Sequence, residues 1–361
     1  MITTMGTTLS ETMQAIRLVG HGGNEVVELA QCPKPRRQEG EVLVRMLASS
    51  LNQVDLYMRN SGAGITHVLP QIMGLEGCGV IEACDADSGL YLGQRVVLYP
   101  GVTCGRCEFC ERGEEVLCTR MALLGEHRHG TWAQWVSVPA RNALPAPAHL
   151  SDEQAATLGV TYLTAWRMLV TQAQLQPNET VLIMGIGGGV SLAGLQLAKA
   201  MGARCIVASR HAHKLRQAMD MGADHGIDVS QQDVVEQVMQ ITQRRGVDVV
   251  FENVGAALWS AAMKSLVRGG RLVTCGATTG DQPAADLRRI FIRQLRILGS
   301  TLGNRQEMLD MMAFMQTQGL KPHIDECVEP GDIHQALTKL ERSAQFGKLV
   351  LRLSPLQAPG C

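Results

Sequence analysis

Four cysteines, Cys104, Cys107, Cys110 and Cys118, follow a C-x2-C-x2-C-x7-C spacing within "VTCGRCEFCERGEEVLC". Thiols so close together form a ligand set for one tetrahedral ion, most simply Zn²⁺. With four sulfurs bound, no position stays open to water or substrate, so such an ion shapes the chain and does not react. The other cysteines are scattered and read as small core residues. A second chemical feature is "VLIMGIGGGVSLAGLQLAK", a buried strand, a glycine-rich turn and a helix. Gly185, Gly187, Gly188 and Gly189 let backbone N–H groups approach a pyrophosphate, and the helix adds its positive N-terminus. Ser191 stands where that pattern usually has its last glycine. The next strand ends "IVASRHAHKL", with Ser209 where an NAD site usually carries an acid about 20 residues on. Arg210 and Lys214 follow. Cations without an acid predict a ribose 2′-phosphate and hence NADP(H). The competing reading takes both as solvated charges at a helix start.

The elements that must position these groups come from length and texture. At 361 residues the chain exceeds what one core usually supports, so two domains are expected. Residues 13 to about 150 read as short strands punctuated by Gly and Pro, as in "EVLVRMLAS" and "GCGVIEAC". The texture changes at "PAPAHLSDEQAA", where Ser151 and Gln154 are spaced as a capping box. From 180 to 300 strands alternate with helices, which predicts a parallel sheet covered on both faces. Hydrophobic residues are 45% and the net charge is −1, so no overall field favours nucleic acid or an anionic membrane. No apolar run reaches membrane-span length. The start "MITTMGTTLSET" reads as a short disordered tail with no export signal, which predicts a cytoplasmic protein.

Together with "GQRVV", "TYLTAW", "MGADHGID" and "GGRLVTCGATTG", these features resemble the medium-chain dehydrogenase/reductase superfamily. The resemblance runs from "MQAIRLVGHGGNEVVEL" to "FGKLVLRL". It implies an α/β chain with a GroES-like β-barrel catalytic domain and a Rossmann-fold, doubly wound parallel sheet. The expected division is a tail at 1–12, a catalytic domain at 13–158 with the zinc lobe at 100–120, a nucleotide domain at 159–302, and a segment at 303–361 returning to the catalytic domain. The resemblance also implies that Thr164, Val190, Asn253, Gly276, Ala277, Gly299 and Ser300 line the dinucleotide site. It implies a homodimer or homotetramer, with the strand at "LRILGST" pairing between subunits.

Zinc alcohol dehydrogenases of that superfamily keep the four-cysteine lobe as a structural site and carry a second, catalytic zinc. This sequence departs from them there. The C-x-[ST]-D motif reads "LNQVDLY", with Asn52 for the cysteine, Val54 for the hydroxyl, and Asp55 kept. The G-H-E motif reads "MGLEGCG", with Leu75 for the histidine and Glu76 kept; the third ligand place falls near Val160. Asn52 and Tyr57 resemble the quinone oxidoreductase branch. The expectation is therefore one structural zinc, no catalytic zinc, and NADPH-dependent reduction of an α,β-unsaturated carbonyl or quinone. Asn52 would orient the carbonyl, Tyr57 would donate a proton, and Asp55 and Glu76 would be supporting charges. The alternatives are an alcohol or aldehyde dehydrogenase, and a nucleotide-binding protein without turnover. Asn52 as a turn residue and Tyr57 as a core aromatic are the plainer readings. His127 and His129 either line the cleft or sit on a surface loop. Arg288, Arg289, Arg293 and Arg296 either meet an anionic substrate or form a solvated helix face.

Overall fold

The computed structural model describes residues 11–64 and 67–353. The tail expected at 1–12 lies outside the described residues except for its last two positions, and Thr12 already begins a strand.

The first half is built around the strand Glu41–Ser50, buried along almost all of its length. It pairs antiparallel with Gly77–Ala83, Trp135–Pro139 and Lys348–Arg352. Its residues pack into cores on both faces, Ala48 in one and Val42, Val44 and Met46 in the other, so it reads apolar without strict alternation. The full seven-stranded sheet adds Arg95–Leu98, Ala143–Pro145 and Ile324–Val328. A three-stranded sheet, Val27–Pro33, Thr12–Leu18 and Gln71–Ile72, packs against it. Ile16, Val44, Met46, Leu98 and Trp132 fill the space between them. The strand Lys348–Arg352 comes from the far end of the chain, so the C-terminal segment completes this half.

Six parallel strands make the second half, in the order His225–Asp228, Arg204–Ser209, Thr180–Ile183, Val247–Glu252, Leu266–Thr274 and Arg296–Gly299. The two middle strands, TVLI and VDVVFE, are buried throughout, as a sheet sandwiched by helices requires. Chain order reverses between Thr180–Ile183 and Val247–Glu252. That switch point opens a crevice at the carboxyl ends of the strands. Gly194 lets the helix Gly189–Ala200 lie on the sheet, because a Cβ there would stand 3.0 Å from Phe251 Cζ.

A helical run over 152–172 joins the halves. Its start is the capping box expected from the sequence: Gln154 N–H donates to Ser151 Oγ and Ser151 N–H to Gln154 Oε1, both at 3.2 Å. Arg167 donates to both carboxylate oxygens of buried Glu307 at 2.9 Å, tying this run to the helix Arg305–Gln318. No helix is long and apolar enough to cross a membrane among the described residues.

Candidate active-site cleft and metal lobe

The lobe gathers its ligands from one short segment. The sulfurs of Cys104, Cys107, Cys110 and Cys118 all lie within 4.8 Å of one another. Cys107 and Cys110 are 3.5 Å apart, close to the edge of about 3.8 Å that bonds of about 2.3 Å give a tetrahedron of thiolates. Cys118 Sγ accepts the backbone N–H groups of Cys104 and Arg120, each at 3.4 Å, an arrangement that suits a metal-bound thiolate. The donor set fits a soft divalent ion in a closed site. The lobe is fastened by Val116 N–H to Asn304 Oδ1 at 2.8 Å and by the ion pair of Arg141 with Glu115.

The cleft gathers its groups from across the chain. Asn52 sits at the N-cap of the helix Gln53–Ser61, in a capping box with Asp55. Asp55 supplies the firmer bond of that box, accepting Asn52 N–H at 2.7 Å. The Asn52 amide reaches into the cleft, where Nδ2 donates to Glu76 Oε1 at 2.9 Å and Oδ1 accepts from Lys348 Nζ at 2.7 Å. Lys348 Nζ also donates to the Leu51 carbonyl at 2.8 Å and to Glu76 at 3.1 Å. Glu76 is fully buried and takes two further bonds, from Ser50 Oγ at 2.5 Å and Val160 N–H at 2.6 Å. Burial pushes the Asp55 carboxyl up to about 8, against the lowering pull of the Asn52 N–H and the Lys348 cation. Burial pushes nearby Glu126 up to about 7.

Three places carry the family's catalytic zinc ligands by resemblance, and these residues do not fit a metal. The Asn52 oxygen is taken by Lys348, Leu75 is a buried aliphatic, and Val160 has no ligand atom on its side chain while its N–H is accepted by Glu76. Among the described residues, the four-cysteine lobe is the one group of three or more His, Cys, Asp and Glu that could hold an ion.

Sequence reasoning placed Asn52, Asp55 and Glu76 together, and they are together. Lys348 is the residue that spacing along the chain does not reveal. The available signal was a lone lysine opening the apolar run "KLVL", whose four residues are all buried. Tyr57, 36% exposed, makes no hydrogen bond among the described residues and stands outside this network. His127 and His129 use Nδ1 to accept the backbone N–H groups of Leu123 and Ile72, which fixes their loop. Arg289 and Arg293 donate to the carbonyls of Met263, Lys264 and Leu266, so their heads close chain ends rather than await an anion.

The glycine loop lies directly against the cleft. Gly185 and Gly187 have φ of +66° and +114°, which a side chain would strain. A Cβ on Gly189 would stand 2.8 Å from Lys348 Cδ and 2.9 Å from Thr161 Cγ2, so Thr161 is the residue of its helix that meets the loop, with Thr164 buried one turn on. Ser191 is buried and its hydroxyl lies 3.0 Å from the carbonyls of Gly185 and Gly188, so the departure from glycine ties the turn together. Val190 opens the helix beside it. Asn253 borders the turn, with Oδ1 3.3 Å from where a Gly185 Cβ would be. Gly276 packs on Asn253, Ala277 on Gly255, and Ser300 N–H donates to Thr274 O just beyond Gly299.

The ribose end differs from the expectation. Lys214 is buried and donates to the Ser343 carbonyl at 2.6 Å, so it is not a free cation. Arg210 is exposed. Ser209 is the register partner of Asp228, whose carboxylate the Ser230 hydroxyl and N–H hold below its usual range. An acid does stand at this strand end, contributed by the neighbouring strand.

Comparison with known proteins bears on this directly. The chain matches the alcohol dehydrogenase GroES-like domain over residues 38–148 and the zinc-binding dehydrogenase model over 189–317. An NAD-dependent alcohol dehydrogenase of Sulfurisphaera tokodaii is 31% identical over 350 residues, covering 94% of this chain and 99% of the relative. A sorbitol dehydrogenase of Bacillus subtilis is 33% identical, covering 81% and 83%. A crystal structure of an NAD-dependent alcohol dehydrogenase superposes with a TM-score of 0.91 at 37% identity, covering 95% of this chain and all of that one. These relatives overturn the expectation of an NADPH-dependent enone or quinone reductase: they point to NAD(H) and to alcohol dehydrogenase chemistry, and Asp228 with the engaged Lys214 supplies the physical reason against a 2′-phosphate. With its GroES-like half, its Rossmann-like sheet and its four-cysteine lobe, the chain belongs to the zinc-binding alcohol dehydrogenase family of the medium-chain dehydrogenase/reductase superfamily.

Proposed function

We propose that this protein interconverts a small alcohol and its carbonyl compound with NAD(H). The carrying observation is the contact between the glycine loop and the buried polar cleft at Lys348, Thr161 and Gly189, which brings a dinucleotide and a substrate oxygen to one place. In the oxidative direction the alcohol C–H bond breaks with its electron pair, which passes to the nicotinamide. The hydroxyl proton leaves to solvent, and the carbonyl double bond forms. NAD⁺, when bound, supplies the hydride acceptor. The chain supplies orientation: the Gly185–Gly189 turn and the helix behind it receive the pyrophosphate, and Asp228 reads the unphosphorylated ribose. The Asn52 amide has one N–H given to Glu76 and a second to donate to the substrate oxygen. Asp55 and Glu76 support that amide from behind, and Tyr57 stands at the edge of the cleft. The lobe holds a structural zinc.

The reading extends to a homodimer or homotetramer in the cytoplasm. The strand Arg296–Gly299 is an open edge of its sheet, and the adjoining helix exposes Leu287 and Phe291, each 68%, and Ile292. An open edge beside an apolar patch suits pairing with a second copy. The deciding measurement is NADH formation from NAD⁺, or NADPH formation from NADP⁺, by the purified chain across primary, secondary and polyhydric alcohols. Turnover with NAD⁺ is expected. Turnover restricted to NADP⁺, or none with any alcohol and none of the reverse reaction with aldehydes and ketones, would sink the reading.

A further inference from the structure

Lys348 is nearly fully buried, yet its ammonium is placed against three acceptors that lie far from it in the chain: the Leu51 carbonyl, Asn52 Oδ1 and Glu76 Oε1. A buried ammonium carries a desolvation cost of several kcal/mol, so its retention needs full compensation. The contacts give that compensation and also fix a direction. Asn52 must present oxygen to the ammonium and nitrogen to the Glu76 carboxylate, because the flipped amide would set NH₂ against a cation and oxygen against an anion. The second N–H of Asn52 then has one orientation. The stem of Lys348 passes Gly189, and Gly347 N–H donates to the Gly187 carbonyl at 3.0 Å. Lys214 adds a third tie, from behind the same loop to Ser343. Cofactor loop, lysine and amide form one continuous packed unit.

We propose that Lys348 is the positioning residue of the cleft, whose ammonium locks the Asn52 amide so that its free N–H meets the oxygen of an alkoxide or carbonyl substrate beside the cofactor loop. This rests on the alcohol reading above. Lys348 gains and loses nothing in the reaction; it acts through Asn52 and places a fixed positive charge behind a developing negative one.

The test uses the intact wild-type chain, Lys348→Met and Lys348→Arg. Two readings are taken on each: NADH affinity, and binding of trifluoroethanol, an acidic alcohol, to the NAD⁺ complex by tryptophan fluorescence. Lys348→Met is expected to weaken trifluoroethanol by about ten- to a hundredfold, as for loss of a charge-supported hydrogen bond. Lys348→Arg should recover most of that loss, and steady-state kcat should follow the same order. Trifluoroethanol binding unchanged in Lys348→Met would overturn the proposal, as would Lys348→Arg folding, binding NADH and failing as badly as Met. A wild-type chain that binds NADH but neither binds nor turns over any alcohol or carbonyl would defeat the alcohol reading itself. That result differs from a wild type that turns over while Lys348→Met matches it.

Discussion

The four-cysteine lobe and the Lys348 cleft each arrange anionic or polar ligands around a point that calls for positive charge, and they do so by opposite routes. The lobe draws all four ligands from fifteen consecutive positions, 104–118, and its acceptors are thiolates that only an ion can satisfy. In the cleft, residues 24 to 297 positions apart meet on a side chain that brings its own charge. The lobe depends on what it binds, whereas the cleft is complete within the protein. A site of the first kind should fail on removal of the ion, and one of the second kind only on mutation.

The sharpest break in this comparison is at the lobe. Cys110→Ser should release the ion, since binding free energies for thiolate-rich structural zinc run on the order of 10 kcal/mol and depend on the whole ligand set. Metal content should fall from one zinc per chain, with 104–118 becoming protease-sensitive. Prolonged chelation of the wild type should do the same. A chelated chain that keeps its thermal midpoint would show that the lobe holds itself.

At the cleft the same logic predicts resistance to chelators and sensitivity to Glu76. Glu76→Ala strands Lys348 and leaves Ser50 Oγ, Asn52 Nδ2 and Val160 N–H without their acceptor. Removing one partner of a buried charge pair costs about 3–5 kcal/mol. The urea midpoint should fall accordingly. Glu76→Gln should cost less, because it keeps an acceptor oxygen. Equal losses for Ala and Gln would mean that packing, not charge, holds the site.

The contrast also explains what the sequence makes legible. Contiguous devices stand out: the C-x2-C-x2-C-x7-C run, the glycine turn in its strand–helix setting, and the Ser151–Gln154 capping box all depend on spacing along one segment. The alternation over 180–300 likewise reveals a parallel sheet, because burial on both faces erases polar positions from its strands. Devices assembled across the fold are hidden. Nothing in "FGKLVLRL" tells where the lysine head goes, because pairing of Val350 with Ser50 is what carries it beneath Asn52. Nor does "IVASRH" reveal that Asp228, nineteen residues on, is set beside Ser209 by parallel register. Ser209, Arg210 and Lys214 taken alone predict NADP(H), because neither the Asp228 register nor the Lys214 bond to Ser343 is written in that segment.

Asp55 sharpens the cleft side of the comparison through pH. Its folded pKa, near 8, lies above the unfolded value of about 3.9, so the folded chain holds a proton that the unfolded chain releases. The sign follows: this group favours folding most below pH 4, the contribution fades as pH rises toward 8, and it is constant beyond. Asp55→Asn keeps an oxygen for the Asn52 N–H and removes the ionisation. The variant should gain on the wild type between pH 5 and 8 by on the order of a few kcal/mol at most. Urea midpoints at both pH values check this. A difference independent of pH would show that Asp55 stays ionised in the fold.

The smallest effect tests the ribose end. Asp228→Asn removes the carboxylate beside Ser209 while its amide oxygen can still accept the Ser230 hydroxyl and N–H. Repulsion of a 2′-phosphate should ease, and because this carboxylate is screened by solvent the NAD⁺ over NADP⁺ preference in kcat/KM should narrow by only about severalfold. Arg210, exposed on the next residue of the chain, makes no side-chain hydrogen bond or ion pair among the described residues, whereas Lys214 stays on Ser343. Adding Arg210→Ala to Asp228→Asn should therefore return part of the preference. If Asp228→Asn leaves the ratio unchanged, discrimination lies in the loop after Ser209 and not in the neighbouring strand.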